Sequence, residues 1–300
     1  MNWRDAFGDY LRLLGEWWVS DQPKLGAESA IAERIEMQRK KETLNASDAR
    51  IQKALIRAAI DRVEEKREDT VIDYRLLNQW FVHQNDQFYL EERLEPRQAV
   101  IRRKKIAADH LKMIGDNQPE PEPLSIINED RTASETAGRL YNRLQAVRYA
   151  ETWWNKRNPA YPSIENDCTN YISQCLYAGG IAMSGAPIRG RGWWQQKTNW
   201  SFSWTVANSL RWYLSKSGNS IGARETDRAD QLVPGDLICY DFEGDGHWNH
   251  NTIVTALDPA GQPLVNAHTY DCRNRPWPYT DSPAWTNHIQ YKFFHIEDGQ

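Results

Sequence analysis

The stretch Asn166 to Gly180 reads NDCTNYISQCLYAGG, and it puts a cysteine where a helix begins. Asn166, Asp167 and Thr169 are residue types that start helices, and Gly179-Gly180 is a stop. Between them Tyr171, Ile172, Cys175 and Leu176 share one apolar face, which predicts a helix of about ten residues. Cys168 falls in its first turn. Unpaired backbone N–H groups and the helix dipole favour an anion there, so the expectation is a thiol with a lowered pKa. Cys175, seven residues on, faces the core. A nucleophilic thiol needs a group that takes and returns a proton. His250 opens the predicted strand HNTIVTAL, where a strand end would hold its imidazole rigidly. A third polar group should hold the other ring nitrogen. Asn266 and His268 lie two apart on one face of the stretch LVNAHT, and the residues do not rank them; Asp271 is a weaker option.

Other chemistries compete for the same residues. His247 and His250 have H-x-x-H spacing, and with His268 they could ligate zinc in a metal-dependent hydrolase. Residues three apart on a strand point to different faces, which weighs against it. Asp241, Glu243 and Asp245 mimic the start of a calcium loop, but Thr252 stands where a bidentate Glu is required, so a hairpin turn is expected. The segment RGRGWWQQKTNWSFSW supplies Arg189, Arg191, Trp193, Trp194, Trp200 and Trp204. Trp offers large flat apolar surface, and Trp193, Trp194, Trp204 and Trp248 are read as walls of a substrate cleft. A catalytically silent module that binds wall glycan or peptide in that cleft is a further reading.

These residues need elements to position them. Phe7, Tyr10, Leu11, Leu14, Trp17 and Trp18 fall at helical spacing, and residues 26–43 have helix-forming composition. Ile72, Tyr74, Leu76, Trp80 and Val82 alternate, as do Phe88, Leu90 and Leu94, giving two strands with a turn near Gln84-Asn85-Asp86. Residues 51–64 fit helix or strand. The run DNQPEPEP, Asp116 to Pro123, reads as a linker. Beyond it Ser134 caps an expected helix with Leu140, Leu144, Val147, Ala150 and Trp154 facing inward, and Ser203 starts another with Val206, Ala207, Leu210, Tyr213 and Leu214 inward. Strands follow at 236–242, 250–257, 264–269 and 291–296. Helices then a small antiparallel sheet predict an α+β fold. The expected organisation is an accessory α+β domain over 1–115, a Pro- and acid-rich linker over 116–132, and a hydrolase domain over 133–300.

The 300 residues are 40% hydrophobic, enough for a sizeable core, and a formal charge of −4 gives no pull toward nucleic acid. The four cysteines show no C-x-x-C spacing. No apolar run approaches a membrane span, and Arg12, Gly15 and Glu16 break the one N-terminal stretch that could serve as a leader. The expectation is a cytoplasmic protein without metal or organic cofactor. Its expected partner is a peptide or amide substrate, with no nucleic acid and no membrane.

The same segments carry a resemblance. NDCTNYISQCLYAGG, the preceding YAETWWNKRNPAYP, then PGDLICYDFEGDGHWNHNTIVT and AHTYDCRNRPW are similar to the amidase domain of bacterial proteins, over about residues 140 to 296. That domain resembles NlpC-type and CHAP-type cysteine peptidases, relatives of papain. The resemblance implies a helix carrying the cysteine, packed on a small antiparallel sheet. It implies Cys168 as nucleophile, His250 as base, and a third residue at Asn266 or His268. Acyl transfer of this kind needs an oxyanion site, expected at the N–H groups of the helix start with support from Asn166 and Asp167. Cleavage of an amide, as in peptidoglycan peptides, is the implied reaction.

Overall fold

A computed structural model of the chain describes residues 2–20, 31–112 and 141–298, with side chains left out at 31–34. In chain order the elements are α1 (Trp3–Val19), α2 (Ile31–Ala46), β1 (Ala49–Lys66), β2 (Asp69–Gln84), β3 (Gln87–Arg102), β4 (Lys105–Leu111), α3 (Arg143–Trp153) and α4 (Cys168–Ala178). There follow β5 (Gln195–Gln196), β6 (Asn199–Trp200), α5 (Phe202–Thr205), α6 (Ala207–Leu214), β7 (Ala223–Thr226), β8 (Leu237–Asp241), β9 (His250–Leu257), β10 (Pro263–Ala267), β11 (Asp271–Pro276) and β12 (Gln290–Ile296). The fold is α+β, with antiparallel strands throughout. Among the described residues no helix is long and apolar enough to cross a membrane.

The chain forms two compact units: 1–113 with 258–260 and 270–285, and 114–257 with 261–269 and 286–300. The expected linker at 116–132 lies outside the described residues, as do Ser134 and Leu140.

In the first unit β1, β2 and β3 form a long meander. Its second turn is Asn85-Asp86, both at positive φ, the conformation a tight two-residue hairpin needs. The stretch that fitted either helix or strand is strand, because its register with β2 runs from Ala49 opposite Gln84 to Lys66 opposite Asp69. One edge of β3 is shared: Glu92–Leu94 face β11 and Arg97–Arg102 face β4. Helix α1 covers the sheet with the apolar stripe expected of it; Phe7, Tyr10 and Leu14 pack on Ile72, Tyr74, Leu76 and Ile101. Trp17 and Trp18 meet Met37, Leu44 and Trp80 in an adjoining patch.

In the second unit the strand order is β10-β9-β8-β12-β7. Helix α4 is apolar and buried along nearly its whole length, and it packs on β9 with α3 beside it. Helix α3 begins at an Asn142 cap rather than at Ser134, and its inward face is Ala146 and Ala150. Leu144, expected inside, is 66% exposed. The small residues win because α3 runs close to α4. A Cβ on Gly179 would meet the Tyr141 ring at 2.4 Å and Ala146 at 3.2 Å. The helix expected from Ser203 is two pieces, since Val206 is extended between α5 and α6. The Pro234-Gly235-Asp236 turn fixes the approach to β8. Tyr141 donates to the Gly235 carbonyl at 2.8 Å, and Arg143 donates to Asp236 at 2.6 Å.

Candidate active site

Cys168 is the first residue of α4 and is 5% exposed. Asp167 is the N-cap by position, yet its side chain caps nothing. Its carboxylate instead accepts from His268 Nδ1 at 2.6 Å, Asn170 Nδ2 at 2.7 Å and Arg157 Nε at 2.9 Å. His268 completes the cluster by donating from Nε2 to the Trp153 carbonyl at 2.7 Å, and its ring stacks on Tyr171 of α4 with centroids 3.9 Å apart. One buried carboxylate therefore ties the end of α3, the start of α4 and the end of β10 together.

Around the sulfur, the Thr169 hydroxyl lies 3.6 Å from Sγ, and the sulfur's hydrogen bonding with the backbone at Asn251 and Thr169 acts to lower the thiol pKa. Asn251 reaches α4 by its side chain too, donating from Nδ2 to Thr169 Oγ1 at 2.9 Å. These donors favour a thiolate. Burial opposes them and is the larger effect, with the Asp167 carboxylate adding to it, so the thiol is pushed up rather than down. The lowered pKa expected from helix-start placement is thus corrected: the dipole acts on a site closed to water. Cys175 is fully buried and also pushed up, as a core thiol should be.

The amidase-domain segments found in the sequence have a counterpart among known families. The family described as "Putative amidase domain" matches residues 140–294. The chain belongs to this amidase-domain family. It is 45% identical over 283 residues to "Uncharacterized protein YhbB" of Bacillus subtilis (strain 168), covering 90% of this chain and 89% of that one. It is 28% identical over 160 residues to "Uncharacterized protein YjcM" of the same organism, covering 50% of this chain and 36% of that one. No solved structure matches it.

Within the amidase domain, the other residues singled out from sequence divide sharply. His250 opens β9 as expected, but strand alternation sends Asn251, not His250, toward α4. The His250 ring lies on the other side, 5.6 Å from the Tyr240 ring and 6.0 Å from Phe242. His268 was read as an orienter of His250; both of its ring nitrogens are engaged, with Asp167 and Trp153. Asn266 donates to Glu151 at 2.9 Å and accepts from Thr255 at 2.8 Å. Asn166 is half-buried just ahead of the N-cap.

The tryptophan assignment is also corrected. Trp193, Trp194 and Trp204 are 0% exposed and Trp248 is 4% exposed, so none walls an open cleft. They buttress α4. Trp193 donates to Ser173 Oγ and Trp204 to Asn170 Oδ1, each at 2.9 Å, and the two rings lie 4.7 Å apart. Trp194 is held by the carbonyls of Ile188 and Arg191. Indoles lose surface to water most profitably in a core when their N–H finds an acceptor, and these do.

For a metal, the described residues contain no group of three or more His, Cys, Asp and Glu side chains able to hold an ion. His247, His250 and His268 are not brought together. The acidic run at 241–245 is a turn: Asp241 accepts from the N–H groups of Gly244 and Gly246 at 2.7 Å each. Sequence reasoning missed Arg157, Thr169 and Asn251 as site residues. Asn251 carried one signal, its place beside His250 at a strand start whose phase was not known.

Proposed function

We propose that the amidase-domain unit hydrolyses an amide bond of a peptide, with Cys168 as the nucleophile. The observation that carries this is the placement of Cys168 as the buried first residue of α4, with the Thr169 hydroxyl 3.6 Å from Sγ. In this reading the thiolate attacks the amide carbonyl carbon and the N–H groups of the helix start, with Asn166 nearby, receive the oxyanion. The base returns its proton to the leaving amine as the C–N bond breaks, and water then releases the acyl group from sulfur. The base is His250. It opens β9 beside Asn251, whose side chain is bonded to Thr169 next to the thiol. The Asp-Cys-Thr helix start, the Pro234-Gly235-Asp236 turn before β8 and His250 opening β9 support a relation to NlpC-type and CHAP-type cysteine peptidases. Peptidoglycan peptides are the first substrates to try.

The test is mass-spectrometric product analysis with purified muropeptides and a panel of peptide amides. Wild type should release an amine and a carboxylate, and Cys168→Ala should release neither. His250→Ala should abolish turnover while His268→Gln retains a measurable rate; the reverse pattern removes His250 as the base. Full activity in Cys168→Ala removes the thiol mechanism, and binding without turnover in wild type makes the unit a binding module.

A further inference from the structure

Thr169 follows the nucleophile and sits at the second helical position of α4. A threonine inside a helix ordinarily gives its hydroxyl proton to the carbonyl four residues back. Here that residue is Glu165, which precedes the helix, so no helical carbonyl is offered. The hydroxyl has two described neighbours: Asn251 Nδ2, which donates to its oxygen at 2.9 Å, and Cys168 Sγ at 3.6 Å. An oxygen that already accepts from the amide has its own proton to give, and the sulfur is the neighbour that can take it. Both Thr169 and Asn251 are 0% exposed, so water does not compete.

Asn251 is an expensive residue to place here. Its Oδ1 is buried without a hydrogen-bond partner. A buried unsatisfied acceptor costs about 1–3 kcal/mol. Packing alone would be served better by an apolar side chain between α4 and β9. In the orientation seen, Nδ2 faces the threonine oxygen and leaves the hydroxyl proton for the sulfur, whereas the other rotamer would draw that proton to Oδ1.

We infer that Asn251 and Thr169 are positioning residues forming a directed chain, Asn251 Nδ2–H to Thr169 Oγ1 and Thr169 O–H to Cys168 Sγ, that stabilises the Cys168 thiolate. The chain rests on the reading of Cys168 as the reactive thiol, but it concerns the thiol itself and can be measured without any amide substrate. It also answers a need of that reading. Burial lifts the thiol, and side-chain donation from a dry pair recovers part of what burial removes without opening the site to water.

The experiment is the pH dependence of Cys168 alkylation by iodoacetamide in the full chain, read by peptide mass spectrometry so that Cys175, Cys239 and Cys272 do not contribute. Thr169→Val keeps the shape and removes the donor. It should raise the midpoint by about one to two pH units, the size of one hydrogen bond to a charged group. Asn251→Ala should raise it in the same direction, and the double variant should add little to either. Thr169→Ser keeps the hydroxyl and should restore the wild-type midpoint. Thermal melting separates a local electronic effect from unfolding, because Thr169→Val and Thr169→Ser should melt alike within a few degrees while their midpoints differ. Equal midpoints for wild type, Thr169→Val and Asn251→Ala would overturn the inference, as would failure of Thr169→Ser to rescue. A shifted midpoint in a protein that cleaves no amide leaves the chain standing and removes only the proposed reaction.

Discussion

Removing the Asp167 carboxylate tests the cluster that holds the active helix. The side chain is 2% exposed, and it accepts from His268, Asn170 and Arg157. The arginine is 36% exposed, so water screens it and its share is small. The other two partners are buried. Asp167→Ala leaves His268 Nδ1 unsatisfied in a dry site and Asn170 Nδ2 with only the Pro162 carbonyl at 3.4 Å, a loss of about 3–5 kcal/mol, the range for breaking a buried charge-assisted contact from one side. Asp167→Asn should cost much less, about 1–2 kcal/mol. Its amide oxygen still accepts from Asn170, and its amide nitrogen can donate to Nδ1 of a neutral ring whose Nε2–H stays on the Trp153 carbonyl. The damage should travel along the network, because Asn170 Oδ1 also accepts from Trp204 Nε1 at 2.9 Å. The assay is urea unfolding followed by tryptophan fluorescence, with the midpoint read at constant slope. A double-mutant cycle with His268→Ala should show the two losses to be non-additive by about 0.5–3 kcal/mol. If Asp167→Ala costs under about 1 kcal/mol, or Asp167→Asn costs as much as Asp167→Ala, the carboxylate is not the anchor argued for here.

Three further outcomes follow. Lys40 is buried against Glu91 and Asp281, and loss of water around it lowers its pKa to about 7 from the ordinary 10.5. Between these values the unfolded lysine binds a proton that the folded one does not, so the wild type gains stability as pH rises through that window, by about 1.4 kcal/mol per unit. Lys40→Met should lack this gain, and a stability difference between the two that stays flat from pH 7 to 10 rejects it. Trp204→Phe should lower the unfolding midpoint by about 1–2 kcal/mol through the lost bond to Asn170, and leave KM for a cleaved amide unchanged. A raised KM at unchanged stability would return Trp204 to a substrate wall. Gly192→Ala meets both a positive φ of 67° and the Ser184 carbonyl oxygen 2.0 Å from the new Cβ. It should lower Tm well beyond Gly246→Ala, where φ is 90° and nothing lies within 4 Å; equal Tm losses would mean the Ser184–Gly192 approach relaxes freely.

Much of the fold was legible wherever one face of an element meets one environment. Alternation in 72–82 matches β2, whose inward residues Ile72, Tyr74, Leu76, Trp80 and Val82 are all buried. The stripe of α1 and the buried α4 read equally well, because helix period and apolar content agree there. The misses have a different cause. Strand β7, ARET, and strand β11, DCRNRP, carry little apolar alternation, and their extended state is imposed by partners far away in sequence, β12 and β3. Residues 270–285 belong to the first unit although they sit late in the chain. Helical spacing with Leu140, Val147, Ala150 and Trp154 places Leu144 inside, and the requirement that α3 approach Gly179 selects the Ala146 and Ala150 face instead.

The site failed to read at one point for one reason, strand phase. From HNTIVT, either His250 or Asn251 can face the helix that carries Cys168, and a shift of one residue exchanges every side chain on the strand. Residues further along do not settle it: Thr252, Ile253 and Val254 are all buried, so the strand shows no polar face. The phase is instead set by contacts invisible in a linear string. Asn251 lies opposite Cys239 and His250 opposite Tyr240, and Cys239 belongs to the core beneath α4 while Tyr240 stacks near Phe242. The same contacts make the arrangement testable as chemistry. If the phase seen here is the working one, the groups that tune the thiol are Thr169 and Asn251. If turnover instead needs His250 on the face of α4 from the outset, β9 must start one residue out of its present phase, and Asn251 would then lose both its bond to Thr169 and its hold on the sulfur.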